Sequence, residues 1–413
     1  MPLSSKQFKE KLLKNRNRIL WGVVIILAAY FIYFVVINAS RSTHGFATYY
    51  TASKLLSEGE NVSRFYYDDW FSGNVKRFVS EVYEIYNVNM PTTSLIILPL
   101  VNFDYSTARI IWTIFNFIIL FAVVLFLIQK FNFKEFWTPL ILILFLSYQP
   151  LYANILFGQA YILIFCLLTV AWYAYVSGNE KLLGVAIGLI FILKSTSFIF
   201  WLFLLVQRRW RSLVWGLLTV SVVILFSLPW IGFDVWQTYA EKITGFVSNP
   251  SLNVTAYQTL HSFFHHLTTF SKEWNPEPLF NLPLLGNLLS ILSLLIIVAV
   301  SSFIAFKQNK SEIAFGIFII VGLIISPVSL DYHYTILLLP ILILINNVQK
   351  DSMLMHWVMI LIFISLIAVY LPYASPRLAK GVWAVFAYPK LYGAIGLWGL
   401  FIRAAYRSEV KVN

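Results

Sequence analysis

Ten polar side chains interrupt or flank apolar runs in this sequence: His44, Glu58, Glu60, Arg64, Asp68, Asp69, Gln159, Lys194, Asp331 and His333. Histidine titrates near neutrality, so His44 and His333 can carry a proton at working pH, although either also suits a wetted interfacial ring. Asp68 and Asp69, set between Tyr67 and Trp70, can orient or deprotonate a hydroxyl, hold a divalent metal, or cap a solvated turn. Asp331 follows Ser326-Pro327-Val328-Ser329 and can complete a site with His333 or start a helix. Lys194 breaks an otherwise apolar stretch over 182–206. A cation facing lipid at mid-depth is disfavoured by about 2.5–3.5 kcal/mol on insertion scales, so Lys194 is expected to face a wet cavity and an anion such as phosphate. Gln159 suits a cavity wall or a helix cap equally. His261 and His265 have the four-residue spacing of two ligands on one helix face, but no carboxylate completes the set.

These residues need a scaffold, and composition names its class. The chain of 413 residues is 59% hydrophobic, 18% aromatic and 12% charged. A soluble domain carries about 25% charged residues, so too few are present to cover a water-facing surface. Apolar runs begin at 20–37 and recur from 92–101 to 383–402, which predicts an all-α polytopic integral membrane protein with roughly 11 to 13 membrane segments. The abundant Trp and Tyr fit belts at the lipid–water interface. The net charge of +12 lies in short clusters between apolar runs, which points to orientation in a membrane and away from nucleic acid. The single cysteine, Cys166, excludes an internal disulfide.

The charges also order the topology. Lys6, Lys9, Lys11, Lys14, Arg16 and Arg18 precede the first run and predict a cytoplasmic N-terminus. No small-residue cleavage pattern follows that run, so it is read as a retained anchor. Residues 41–91 then form a long outer loop, with helix-compatible spacing at 48–57 and 75–86 that suits amphipathic helices on the membrane surface. Alternation of the later basic clusters places 149–159, 194–195, a second outer loop at 230–283, 326–333 and 372–380 on the same side. The whole chain is read as one membrane domain. One conflict stands: three runs precede Lys130 and Lys134, so either 92–101 does not cross fully or those lysines are exceptions. No repeat with a clear period is present, and no nucleotide-binding glycine motif or H-E-x-x-H.

In order along the chain, five motifs resemble the polytopic glycosyltransferases of the GT-C fold, and family 87, the polyprenyl-phosphate-mannose-dependent type, in particular. Phe46-Ala47-Thr48-Tyr49-Tyr50-Thr51-Ala52 is similar to that family's D-F-x-x-Y-Y-x-A segment. Leu55-Leu56-Ser57-Glu58-Gly59 with Tyr67-Asp68 is similar to the continuation of that segment. Gly158-Gln159, the glycine-containing stretch from Gly184 to Lys194, and Ser326-Pro327-Val328-Ser329 with His333 match the other three. Two positions depart: Gly45 stands where the family has an aspartate, and Leu330 where it has a tryptophan.

The resemblance implies transfer of a mannose-like sugar from a polyprenyl-phosphate donor to a lipid, glycan or protein hydroxyl, on the non-cytoplasmic face of the cell's inner membrane. With Gly45 in place of the aspartate, either His44, Asp68 or Asp331 replaces the missing carboxylate, with His333 as a further catalytic candidate, or activity is lost. Lys194 and Arg64 are expected to hold the donor phosphate, and Tyr49, Tyr50, Asp69 and Gln159 to line the cavity. A divalent metal is one reading of the Asp68-Asp69 pair. A transporter or flippase of lipid-linked glycans accounts for the spans but less well for the long aromatic loop. A glycan ligase or polymerase with a diphosphate-linked donor is the third reading.

Overall fold

The computed structural model describes residues 5–86, 89–133, 136–309, 311–348 and 354–410. The protein is all-α; among the described residues the sole β pairing is an isolated bridge between Ser271 and Asn275. The roughly 11 to 13 apolar segments expected from sequence resolve into three groups. Five helices are long and apolar enough to cross a bilayer: Asn15–Asn38, Tyr105–Phe131, Trp210–Ile231, Pro283–Lys307 and Asp331–Val348. Two bent pairs, Trp137–Ser147 with Gln149–Phe157 at 44° and Gly381–Ala387 with Pro389–Arg407 at 53°, pass the same test together, as a broken span or a re-entrant loop does. Four apolar helices are shorter: Pro91–Leu100, Tyr161–Ser177, Glu312–Ile324 and Met355–Ala368. The molecule is a multi-pass membrane protein.

Large apolar side chains such as Ile26, Phe226 and Leu284 are exposed on the outside of the long helices, which no water-soluble surface tolerates on this scale. Glu312–Ile324 and Leu338–Val348 are apolar on every side and lie buried at the centre of the bundle. The helix Glu180–Leu193 packs along Trp210–Ile231 through Gly184 and Gly188. A Cβ on Gly184 would stand 2.2 Å from the Ser212 carbonyl, and one on Gly188 2.8 Å from that of Gly216. Small residues here let two backbones touch, the usual device where lipid supplies no hydrophobic drive between helices. That contact fixes the end of the helix, and with it Lys194.

The segment 41–91 folds on a core of its own. Phe46–Ser57, Val62–Tyr66 and Asp68–Phe78 enclose Phe46, Tyr66, Phe71 and Tyr86, and Ile231, Val235 and Tyr239 close the cluster from the segment 230–283. The expected helix at 48–57 is present. The one expected at 75–86 is displaced: the helix runs from Asp68 to Phe78, and 79–86 is not helical. Asp68 and Asp69 in its first turn and Lys76 and Arg77 in its last complement the helix dipole, which favours this earlier frame.

The segment 92–101 does not cross. It forms two short 3-10 turns, Pro91–Leu95 and Leu98–Leu100, and ten residues at about 2.0 Å each span about 20 Å, short of a hydrocarbon core of about 30 Å. Ser53 Oγ donates to the Ser94 carbonyl at 2.6 Å and ties the turns to the loop layer. The conflict over Lys130 disappears with that crossing. The Arg16 guanidinium sits 3.9 Å over the Phe136 ring, so the N-terminal basic segment and Lys130 share one end of the bundle. Lys134 lies outside the described residues.

Candidate active site

A cavity of about 610 Å³ opens where the loop layer meets the bundle. Its walls come from six stretches far apart in sequence: 44–49, 84–90, 157–161, 243–257, 327–333 and 373–374, together with Lys194. Of the residues expected to form a site, it gathers His44, Tyr49, Gln159, Lys194, Asp331 and His333.

Gly45 forms the turn at the head of Phe46–Ser57, with φ +84°, a conformation open to glycine and strained for other residues. Its N–H donates to Glu84 Oε2 at 2.8 Å. His44 Nδ1 lies 3.6 Å from the same oxygen, and this carboxylate raises the pKa of His44 above the ordinary imidazole value. Glu84 is thus held by the turn that starts the helix.

Tyr49, one turn into that helix, is buried and donates its hydroxyl to Gln159 Oε1 at 2.7 Å. Gln159 owes its position to Gly158, the left-handed residue that ends Gln149–Phe157. Arg109, buried in the Tyr105–Phe131 helix, covers that end: its guanidinium donates to the carbonyls of Ile155 and Leu156 and to Thr113 Oγ1. A cation at a helix C-terminus satisfies exposed carbonyls and opposes their dipole.

Lys194 ends the helix Glu180–Leu193, and its Nζ donates to Asn89 Oδ1 at 2.9 Å. Among the described residues no carboxylate stands within ion-pair distance of this ammonium at the cavity wall; the Glu84 charge acts on it from farther off. His333 is buried, its ring stacked on Tyr332 and 4.3 Å from that of Tyr161. Its Nδ1 accepts the Leu330 N–H at 3.0 Å, so in the neutral ring the proton is on Nε2 and His333 is a donor. Asp331 is held by its neighbours: Lys390 Nζ at 3.5 Å, Gln149 Nε2 at 3.2 Å and the Tyr373 hydroxyl.

Four expected site residues lie elsewhere. Tyr50 points away from the cavity, packs on Tyr105 and donates to the Phe103 carbonyl at 2.8 Å. Arg64 is exposed, paired with Glu60 at 2.9 Å and laid over Trp70. Asp68 and Asp69 are exposed in the first turn of their helix, where the dipole accounts for them. No group of three His, Cys, Asp or Glu among the described residues is placed to hold a metal ion.

The cavity adds residues that sequence reading passed over. Glu84 and Asn89 stand in the non-helical end of the first loop, where an acid between Tyr83 and Ile85 was a usable signal. Arg109 and Lys390 carry the sign that drew attention to Lys194, a cation inside an apolar run.

Among known protein families, the model for glycosyltransferase family 87 matches residues 87–327, more than half of the chain. The protein belongs to glycosyltransferase family 87. It is therefore a membrane glycosyltransferase, with a sugar donor and an acceptor as its substrates. The family match takes in Gln159 and Lys194, begins just after Glu84, and ends before Asp331 and His333. A search among curated proteins gives no match.

Proposed function

We propose that this family 87 enzyme is a GT-C-type transferase that moves a mannose-like sugar from a polyprenyl-phosphate donor to a hydroxyl of a lipid, glycan or protein acceptor, on the non-cytoplasmic face of the inner membrane, with its N-terminus in the cytoplasm. One observation carries the reading. Lys194 brings an ammonium that has no carboxylate in ion-pair contact among the described residues into a cavity that also has an apolar wall at Ile243, Phe246 and Val247. A lipid-borne phosphate needs both, a cation for the anion and a greasy approach for its first isoprene units.

In this reading the acceptor oxygen attacks the anomeric carbon while the bond to the phosphate oxygen breaks. The phosphate leaves as a stable anion, so charge stabilisation by Lys194 matters more than a strong acid. Gln159, held by Tyr49, and the Nε2–H of His333 offer hydrogen bonds to sugar hydroxyls. His44 stands at the rim, where its ring is 63% exposed and can exchange protons with water.

To test this, purified protein in lipid nanodiscs receives radiolabelled polyprenyl-phosphate mannose and an extract of membrane acceptors. Transfer of label to an acceptor, with release of polyprenyl phosphate, supports the reading. Movement of the donor across liposomes without transfer favours a flippase instead, and transfer only from a diphosphate-linked donor favours a ligase.

A further inference from the structure

Among the described residues two carboxylates face the cavity, Glu84 and Asp331. Their surroundings differ in a way that separates their roles. Both oxygens of Asp331 are engaged: Oδ1 meets Lys390 and the Tyr373 hydroxyl, and Oδ2 accepts from Gln149. Neither oxygen of Asp331 is therefore left without a side-chain partner. Glu84 has no Lys or Arg within ion-pair distance among the described residues. Its Oε2 is fixed by the Gly45 N–H at 2.8 Å, while the contact of Oε1 is its own neighbour's N–H, Ile85, at 3.3 Å. The side chain is 20% exposed, so it is held yet reachable. His333 has its Nδ1 lone pair committed to Leu330 and no second one to offer in that tautomer.

Resting on the transferase reading above, we propose that Glu84 is the general base of this enzyme, that the Gly45 N–H positions it, and that His44 carries the proton onward to water. In the step, the acceptor O–H bond breaks and its proton goes to Glu84 Oε1. The freed oxygen electron pair forms the new bond to the anomeric carbon. The electron pair of the old carbon–oxygen bond leaves on the phosphate, beside Lys194. Asn89, the partner of Lys194, stands five residues beyond Glu84 on the same loop segment, so one piece of chain fixes both the base and the anion site.

Glu84→Gln tests this with little change in shape, because the amide oxygen can still accept from Gly45. The expected result is a fall in kcat of about 10²–10⁴-fold, with donor binding, followed by fluorescence of a labelled polyprenyl-phosphate mannose, unchanged. Glu84→Ala is expected to lose turnover similarly and to regain part of it with added formate, which a purely structural residue would not show. If Glu84→Gln fails to fold, formate recovery in Glu84→Ala decides alone: its absence overturns the assignment. Wild-type transfer together with a Glu84→Gln rate within about threefold, far inside the range of base loss, overturns the base and leaves the transferase standing. A wild-type protein that moves no sugar from any polyprenyl-phosphate donor overturns the transferase reading, and the base with it.

Discussion

The ammonium of Lys194 donates to the side-chain carbonyl of Asn89 at 2.9 Å, joining a helix end to a loop 105 residues earlier. This contact consumes one of three donors and aims the other two. A flexible lysine would otherwise spend rotamer freedom on each anion it meets. The loop therefore restrains the ammonium in one position at the cavity wall.

Replacing Lys194 with alanine removes a charge that, on the proposed mechanism, is used most in the transition state. The expected loss in kcat/KM is about 10²–10³-fold. Asn89→Ala leaves the ammonium in place and is expected to raise KM more than it lowers kcat. Steady-state kinetics with a polyprenyl-phosphate sugar check both, and a Lys194→Ala enzyme at wild-type rate refutes the role.

Gly45 admits no side chain. A Cβ there would stand 2.2 Å from Gln159 Nε2 and 2.8 Å from the Phe157 carbonyl, on a backbone with φ +84°. Gly45→Ala is expected to lose about 1–3 kcal/mol of stability through backbone strain and to disturb the Tyr49–Gln159 bond. Thermal unfolding in detergent measures the first effect. An unchanged melting temperature would show that the turn relaxes.

The pairing of His44 with Glu84 predicts a pH dependence of stability. The folded-state pKa of His44 is raised, with the Glu84 bond as the largest cause. The stabilisation is therefore fully present below the unfolded histidine value of about 6.5 and is lost as pH rises through the higher folded value. The melting difference between wild type and His44→Gln should be largest in mildly acidic buffer and vanish in alkaline buffer. The opposite trend would contradict the pairing.

Asp331 and Lys390 form a pair in which the lysine is only 1% exposed. Asp331→Asn leaves a buried cation facing amides and carbonyls, and is expected to cost about 3–5 kcal/mol. The double variant Asp331→Asn with Lys390→Met removes the orphaned charge and should recover much of that loss. A double-mutant cycle on melting temperature checks this; additive losses would mean that the two residues are not coupled.

Sequence reading reached the class of fold and several residues that line one cavity, for physical reasons that differ by residue. Lys194 was legible because a cation inside an apolar run has few tolerable explanations. His44, Tyr49, Gln159, Asp331 and His333 share a cavity that the order of motifs foreshadowed. Asp68 and Asp69 drew attention because adjacent acids beside aromatics resemble a site, whereas their helix has its N-terminus there and they suit its dipole. Glu84 offered a local signal, an acid between Tyr83 and Ile85, but its contact with the Gly45 amide 39 positions away is tertiary and has no local pattern. The segment 92–101 reads as a span by hydropathy alone. Its failure to cross follows from Pro91 and Pro99, each in the first turn of a short 3-10 piece, a break that hydropathy does not weigh.

The bond from Gly45 to Glu84 also bears on how inactive relatives are recognised. An inventory that scores competence by the residue just before Phe46 would file this chain among the degenerate members, because it finds a glycine there. The folded chain brings an acid to that same amide from another stretch of the loop. On the proposed mechanism, loss of a side chain from an alignment column is poor grounds for declaring a protein of this kind dead, unless the space around that column has been inspected for a substitute.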